Sequence, residues 1–296
     1  MIFPAYLLSV LAIASSVLAG GPAQSTAYVA QDKVDLFTKY TRYAFSAYYS
    51  DASAINNWSC PLCSDGTVSD TTGAVFTPSA GGTTQGYVAI SPSLKSIIFV
   101  VRGSASIPDF IADLDLIESN IPLPNSPANV QIHTGFWETW EALRPIMEPV
   151  LADYVQKYPD YTVSFVGHSL GAAVSVLAAM DVTSRGLITG DKVHIVNMGQ
   201  PRIGNPAFTA YLKSFNFAEV SRIVNNDDIV AHLPTLSAFY RHESTEYWIN
   251  PKGRLVTCND VNNNGEDTNC ADTVTSHLNI LAHASYFGVF VPLFQK

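Results

Sequence analysis

The sequence predicts an α/β fold: a mostly parallel central sheet with helices on both faces. Three observations lead there. A short apolar run of strand length at residues 162–166 and further strand-like segments at 193–198 and 219–224 alternate with segments of helical composition at 169–185 and 207–215, the pattern of strand–helix–strand units. The first of these runs passes into a helix through a tight glycine-flanked turn, which places side chains at the carboxyl ends of the strands. Across 296 residues, 47% are hydrophobic and only 14% charged, with no low-complexity linker, so one large domain can bury a substantial core.

Taken in order, residues 2–18 form an apolar run, and Val17-Leu18-Ala19 supplies the small residues at −3 and −1 that signal peptidase requires. Residues 1–19 are therefore expected to be a signal peptide and 20–296 the mature domain. The run is preceded by no Lys or Arg, which leaves a membrane anchor as the alternative, and no later stretch approaches the roughly 20 apolar residues that span a bilayer. Residues 31–50 repeat apolar side chains at steps of three and four (Val34, Phe37, Tyr40, Tyr43, Ala44, Ala47, Tyr48), as a helix lying on the sheet does. Strands are expected at 86–90 and 96–101. A long helix follows over 135–158, which Pro145 and Pro149 should kink unless its first turn begins later. Beyond His232 the chain becomes irregular, with a hairpin pairing 246–249 with 255–258 and a last helical or strand segment ending near Phe290.

Four cysteines stand in two local pairs, Cys60 with Cys63 and Cys258 with Cys270, an even number that suits an exported chain. Three disulfide connectivities are possible. The local one closes short loops, and a four-thiolate zinc site is the sharper alternative, disfavoured by an oxidising compartment and a single Cys-x-x-Cys. Asn57-Trp58-Ser59 is a glycosylation sequon on an expected surface loop. The formal charge of −9, with no basic run, offers a nucleic acid backbone nothing to bind and disfavours electrostatic adhesion to anionic bilayers. Contact with lipid must come from apolar surface.

Gly167-His168-Ser169-Leu170-Gly171 matches Gly-x-Ser-x-Gly between an apolar strand and a small-residue helix. The glycines permit a turn sharp enough to hold Ser169 in a strained conformation at the helix amino terminus. A serine hydroxyl needs a histidine base, and that base needs an acid to fix its tautomer; in such folds the order is Ser, Asp, His. Downstream candidates are Asp227 and Asp228 after a strand, and His232, His242, His277 and His283. Pattern alone does not choose among them.

Several further collinear pieces, Val101-Arg102-Gly103-Ser104, His133-Thr134-Gly135-Phe136, Gly199-Gln200-Pro201-Arg202-Ile203-Gly204-Asn205, Asn226-Asp227-Asp228-Ile229-Val230-Ala231-His232-Leu233-Pro234, Glu246-Tyr247-Trp248 and His283-Ala284-Ser285-Tyr286-Phe287-Gly288, make the chain similar to the fungal class 3 lipases, the filamentous-fungus lipase and feruloyl esterase family. The resemblance spans nearly the whole mature chain. It implies an α/β-hydrolase fold, Asp228 as acid, His283 as base with His277 as rival, and structural roles for His133, His168 and His242. It also implies that the backbone amides of Leu170 and Ser104 form the oxyanion hole, with the Ser104 hydroxyl able to contribute. Ile107, Phe110, Ile111 and Leu114 would form the apolar face of a short helical lid. Departures are small: Ala231 replaces a usual proline, Ala172-Ala173 a common glycine, and the cysteine layout is closer to the feruloyl esterase branch.

The implied activity is that of a secreted carboxylic ester hydrolase, a triacylglycerol lipase working as a monomer at a lipid–water interface without metal or organic cofactor. A feruloyl or other aryl esterase, an acyltransferase with the same triad, and an inactive lipid-binding protein are the alternatives. Retention of all five catalytic positions speaks against the last.

Overall fold

The computed structural model describes residues 27–114, 117–243, 245–258 and 266–292; the expected signal peptide lies outside them. In chain order the strands are β1 (Ala27–Tyr28), β2 (Thr72–Pro78), β3 (Gln85–Ser91), β4 (Ser96–Val101), β5 (Glu118–Asn120), β6 (Gln131–His133), β7 (Thr162–His168), β8 (Val193–Met198), β9 (Glu219–Asn225), β10 (Glu246–Ile249), β11 (Leu255–Thr257), β12 (Ser285–Tyr286) and β13 (Val289–Phe290). The α-helices are α1 (Gln31–Ser46), α2 (Ala52–Asn56), α3 (Ile107–Asp113), α4 (Thr134–Lys157), α5 (Leu170–Ser184), α6 (Pro206–Lys213) and α7 (Ile280–His283).

Nine strands form one sheet in the order β1-β11-β10-β9-β8-β7-β4-β3-β2. The five at its centre, β4, β7, β8, β9 and β10, run parallel. The outer strands on both sides pair antiparallel, because β3–β4 and β10–β11 are joined by links too short for a parallel crossover. Side chains along the central strands alternate between two cores. Ile97, Phe99 and Val101 of β4, with Val163 and Phe165 of β7, face the core under α4 and α5. Ile98 and Val100 of β4, with Val166 of β7 and Val196 and Met198 of β8, face the core under α1. Helix α5 is buried continuously from Gly171 to Val182, which its Ala- and Gly-rich sequence permits by letting the backbone lie close to the sheet.

Two helix boundaries differ from expectation, and one strand was not foreseen. Helix α1 ends at Ser46 rather than at residue 50. Helix α4 starts at Thr134, one residue before its expected start, and continues through Pro145 and Pro149; the two prolines lie one turn apart on the exposed face, where solvent can satisfy the carbonyls they leave unbonded. Strand β2, a sheet edge with a register shift between Thr72 and Val75, had no alternating signature to reveal it. Both local cysteine pairs are disulfides, Cys60–Cys63 and Cys258–Cys270.

Candidate active site

Strand β7 ends at His168, and α5 begins at Leu170. The residue between them, Ser169, sits at φ 60° and ψ −135°, a conformation that costs a non-glycine residue on the order of 1–3 kcal/mol and persists only where its surroundings impose it. Gly171 is required by close approach: a Cβ there would stand 2.2 Å from the carbonyl oxygen of Val101. Ser169 is fully buried, and among the described residues its Oγ has no hydrogen-bond partner.

Asp228 lies in the turn after β9, and His283 is the last residue of α7. A bridge between Asp228 and Asn279 brings these segments together. His283 Nδ1 is 2.8 Å from Asp228 Oδ2, and both side chains are fully buried. The same carboxylate oxygen accepts the hydroxyl of Tyr286, and Oδ1 accepts the backbone N–H of Val230 at 2.8 Å. Burial alone would raise the Asp228 pKa, but attraction to His283 and the hydrogen bonds from His283 and Tyr286 outweigh it and hold the carboxyl below its usual range. Donation from Nδ1 to this carboxylate leaves Nε2 as the acceptor nitrogen, and Nε2 is buried without a hydrogen-bond partner. The site thus contains a strained serine hydroxyl and an imidazole nitrogen, both buried and both uncommitted.

Supporting contacts explain the arrangement. His168 lies 2.6 Å from the Tyr48 hydroxyl through Nδ1 and 2.9 Å from the carbonyl oxygen of His283 through Nε2, so it braces the backbone that carries His283. Burial and repulsion from His283 push its pKa well down and keep it neutral. The Asn225 amide donates to the carbonyls of Ala282 and Ser285, clamping the chain on either side of His283.

A family profile described as "Lipase (class 3)" matches residues 98–238. Secreted mono- and diacylglycerol lipase A of Penicillium cyclopium is 31% identical over 242 residues, 79% of this chain and 76% of that protein. The chain belongs to the class 3 lipase family. Among other members, the lipase of Rhizomucor miehei is 34% identical over 70% of this chain, and that of Rhizopus niveus 30% identical over 87%. The chain spans 56% and 64% of the lengths of those two proteins. The solved structure of the Rhizomucor miehei triacylglyceride lipase superimposes with a TM-score of 0.81 at 28% identity, covering 91% of this chain and 99% of that one. Lipase II from Rhizopus niveus gives 0.81 at 29%, covering 90% and 98%. A triacylglycerol lipase whose catalytic centre is a serine protease triad gives 0.81 at 29%, covering 91% and 99%. The α/β-hydrolase architecture expected from the sequence is therefore that of known class 3 lipases.

The other histidines of this family member lie elsewhere. His277 is exposed, His232 is held by the carbonyls of Asp228 and Ala271, and His242 is buried against the carbonyl of Ala231. His133 stacks on Phe136 at the start of α4. Ser104 and Leu170 line one cleft of about 280 Å³ together with Thr84 and Gly135. As first residue of α5, Leu170 has an N–H with no intrahelical acceptor.

Helix α3 begins two residues after Ala105, with Ser106 as its N-cap. Ile107 is buried, and Phe110 and Leu114 pack against the core under α4, with the Phe110 ring 6.4 Å from that of Phe136. Ile111 is half-buried. The apolar face of α3 is thus turned inward while Ser169, Asp228 and His283 are shut off from solvent.

Sequence reasoning gave no role to Tyr48, Asn225 or Tyr286, nor to a buried ionic network beyond the site. In that network Arg202 Nε and Nη2 meet the Glu266 carboxylate at 2.8 and 3.0 Å, and Arg222 meets Glu246 at 3.0 Å. Gln200 joins Glu243 to Asn197, whose amide donates to the Ala172 carbonyl in the first turn of α5. Gln200, Arg202, Glu246 and Tyr286 stand in the quoted motifs, the signal that could have drawn attention to them.

Proposed function

We propose that this chain is a secreted carboxylic ester hydrolase, a triacylglycerol lipase in which Ser169, His283 and Asp228 work as nucleophile, base and orienting acid. The observation that carries the reading is the presence of a strained, buried Ser169 with an uncommitted hydroxyl and of a buried imidazole, His283, whose Nδ1 is committed to Asp228. Ser169 Oγ attacks the ester carbonyl as His283 Nε2 takes its proton. The N–H groups of Leu170 and Ser104 hold the oxyanion, and Asp228 stabilises the imidazolium. The proton passes to the leaving alcohol, and water repeats the cycle on the acyl-enzyme. Catalytic hydrogen bonds are often loose before substrate binds, so the uncommitted Oγ and Nε2 suit this role.

Helix α3 acts as the lid. Its inward apolar face can turn toward lipid only if an apolar phase receives Ile107, Phe110, Ile111 and Leu114, a two-state element biased by differential contact. Leu281, 67% exposed on the helix that carries His283, and Ile117, 60% exposed beyond α3, are apolar side chains open to an interface. Two disulfides and the secreted Penicillium relative support an extracellular location.

Ser169→Ala tests the assignment, with a folded protein and nearly complete loss of turnover expected; retained hydrolysis refutes it. The lid is tested by initial rates on a short-chain triglyceride taken through its solubility limit, beside methyl ferulate. A jump as droplets form supports the lipase, whereas saturation below that limit with efficient turnover of methyl ferulate makes an aryl esterase the better reading.

A further inference from the structure

A cavity of about 550 Å³ lies behind the segment that carries His283, outside the cleft lined by Ser104 and Leu170. Its size falls within the range of small-molecule sites. Val34, Ile249, Leu255 and Phe287 supply its apolar lining and rest on the core under α1. Phe287 and Gly288, both at positive φ, form the two-residue turn between β12 and β13. A bulky residue is rarely tolerated there, yet the chain places an aromatic side chain on the cavity wall. Asn225 and Ser285, which join the segments bearing Asp228 and His283, complete the inner wall.

At the rim stands a cation. The Arg254 guanidinium lies 3.9 Å over the Tyr28 ring, and among the described residues it makes no ion pair. Contact with the ring face leaves N–H groups of the guanidinium available, and a guanidinium takes a carboxylate through two parallel hydrogen bonds. Polar and apolar surface share the lining about equally, and an apolar wall with a cation at its mouth matches an amphiphile with a carboxylate head. In a chain of net charge −9 this is a local reversal of sign.

We propose that this cavity is a second binding site, for a long-chain carboxylate, with the head on Arg254 and the alkyl chain over Val34, Ile249, Leu255 and Phe287. It rests on the hydrolase reading only in that such acids would then be the protein's own products.

The test is calorimetric titration of dodecanoate, below its micellar range, into protein whose Ser169 carries a long-chain alkylphosphonate that fills the catalytic cleft. One equivalent should bind. Affinity should rise about fourfold per methylene from octanoate to dodecanoate, fall about tenfold in Arg254→Gln, and vanish in Val34→Trp, which fills the trough. Absence of binding to the blocked protein, equal affinity in Arg254→Gln, or equal affinity for dodecanol overturns the proposal. Arg254 is exposed, so its variant remains informative even if Val34→Trp fails to fold. Failure of the phosphonate to attach to Ser169 refutes the catalytic assignment alone; the unlabelled protein compared with Arg254→Gln then reads the cavity, and equal stoichiometry and affinity overturn it.

Discussion

Gly199 offers the sharpest test of whether the His283–Asp228 pair is held by packing. It follows β8 at φ +56°, and a Cβ built on it would stand 2.7 Å from both Cε1 and Nδ1 of His283 and 2.8 Å from Asp228 Oδ2. Ordinary contact begins near 3.4 Å, so in Gly199→Ala both partners must retreat by roughly 0.7 Å in a region without free space. The 2.8 Å hydrogen bond between them cannot survive two such displacements in its present geometry. Misplacement on this scale costs about 100-fold in rate. The left-handed backbone adds on the order of 1–2 kcal/mol of destabilisation for alanine. Gly186, at φ +76° just beyond α5 with nothing within 4 Å of its would-be Cβ, isolates that second effect. Both variants should lose similar stability from backbone strain in thermal melts, with Gly199→Ala losing more, and only Gly199→Ala should lose kcat on a soluble ester. A folded Gly199→Ala with kcat within threefold of the parent would show that the pair is not fixed by this packing.

Other outcomes follow from the same geometry. Arg202→Met should destabilise the fold by about 3–5 kcal/mol in denaturant titrations, because it leaves the Glu266 carboxylate buried without its bidentate partner. Burial and repulsion from Glu266 raise the Asp272 carboxyl from 3.8 to about 6. The folded state therefore binds its proton more tightly than the unfolded state, and this residue makes stability fall as pH rises from about 4 through 6. Asp272→Asn should accordingly raise the melting temperature at pH 7.5, with the gain disappearing by pH 4; a gain independent of pH refutes the cause. Replacing Cys258 and Cys270 by serine should cost about 3 kcal/mol and replacing Cys60 and Cys63 about 2 kcal/mol, since the longer loop restricts the unfolded chain more. Equal losses in urea would show that native contacts, not loop length, decide the cost.

Much of the fold was legible because the central strands are buried on both faces. β4 is apolar from Ile97 onward and β8 is rich in Val and Ile, and their expected limits match the structure. The edge strand β2 escaped notice for the converse reason: with burial on few positions, it carries Thr, Gly and Pro that read as a loop. Within the candidate site, the strand–turn–helix around Ser169 was plain locally, whereas the choice among two aspartates and four histidines came from family resemblance. Spatial proximity, not spacing, is what joins Asp228 to His283 across 55 positions.

The sequence by itself determined the alternation of strand and helix and the Gly-x-Ser-x-Gly turn, because each depends on neighbours a few residues apart, whereas it left the cysteine pairing open. Only the tertiary structure decided that Tyr286 shares Asp228 with His283, that α3 turns its apolar face inward, and that Arg202, Arg222, Glu246 and Glu266 lie buried as partners. Charged side chains read as surface until their counterions are located, and those counterions come from segments that only folding brings together.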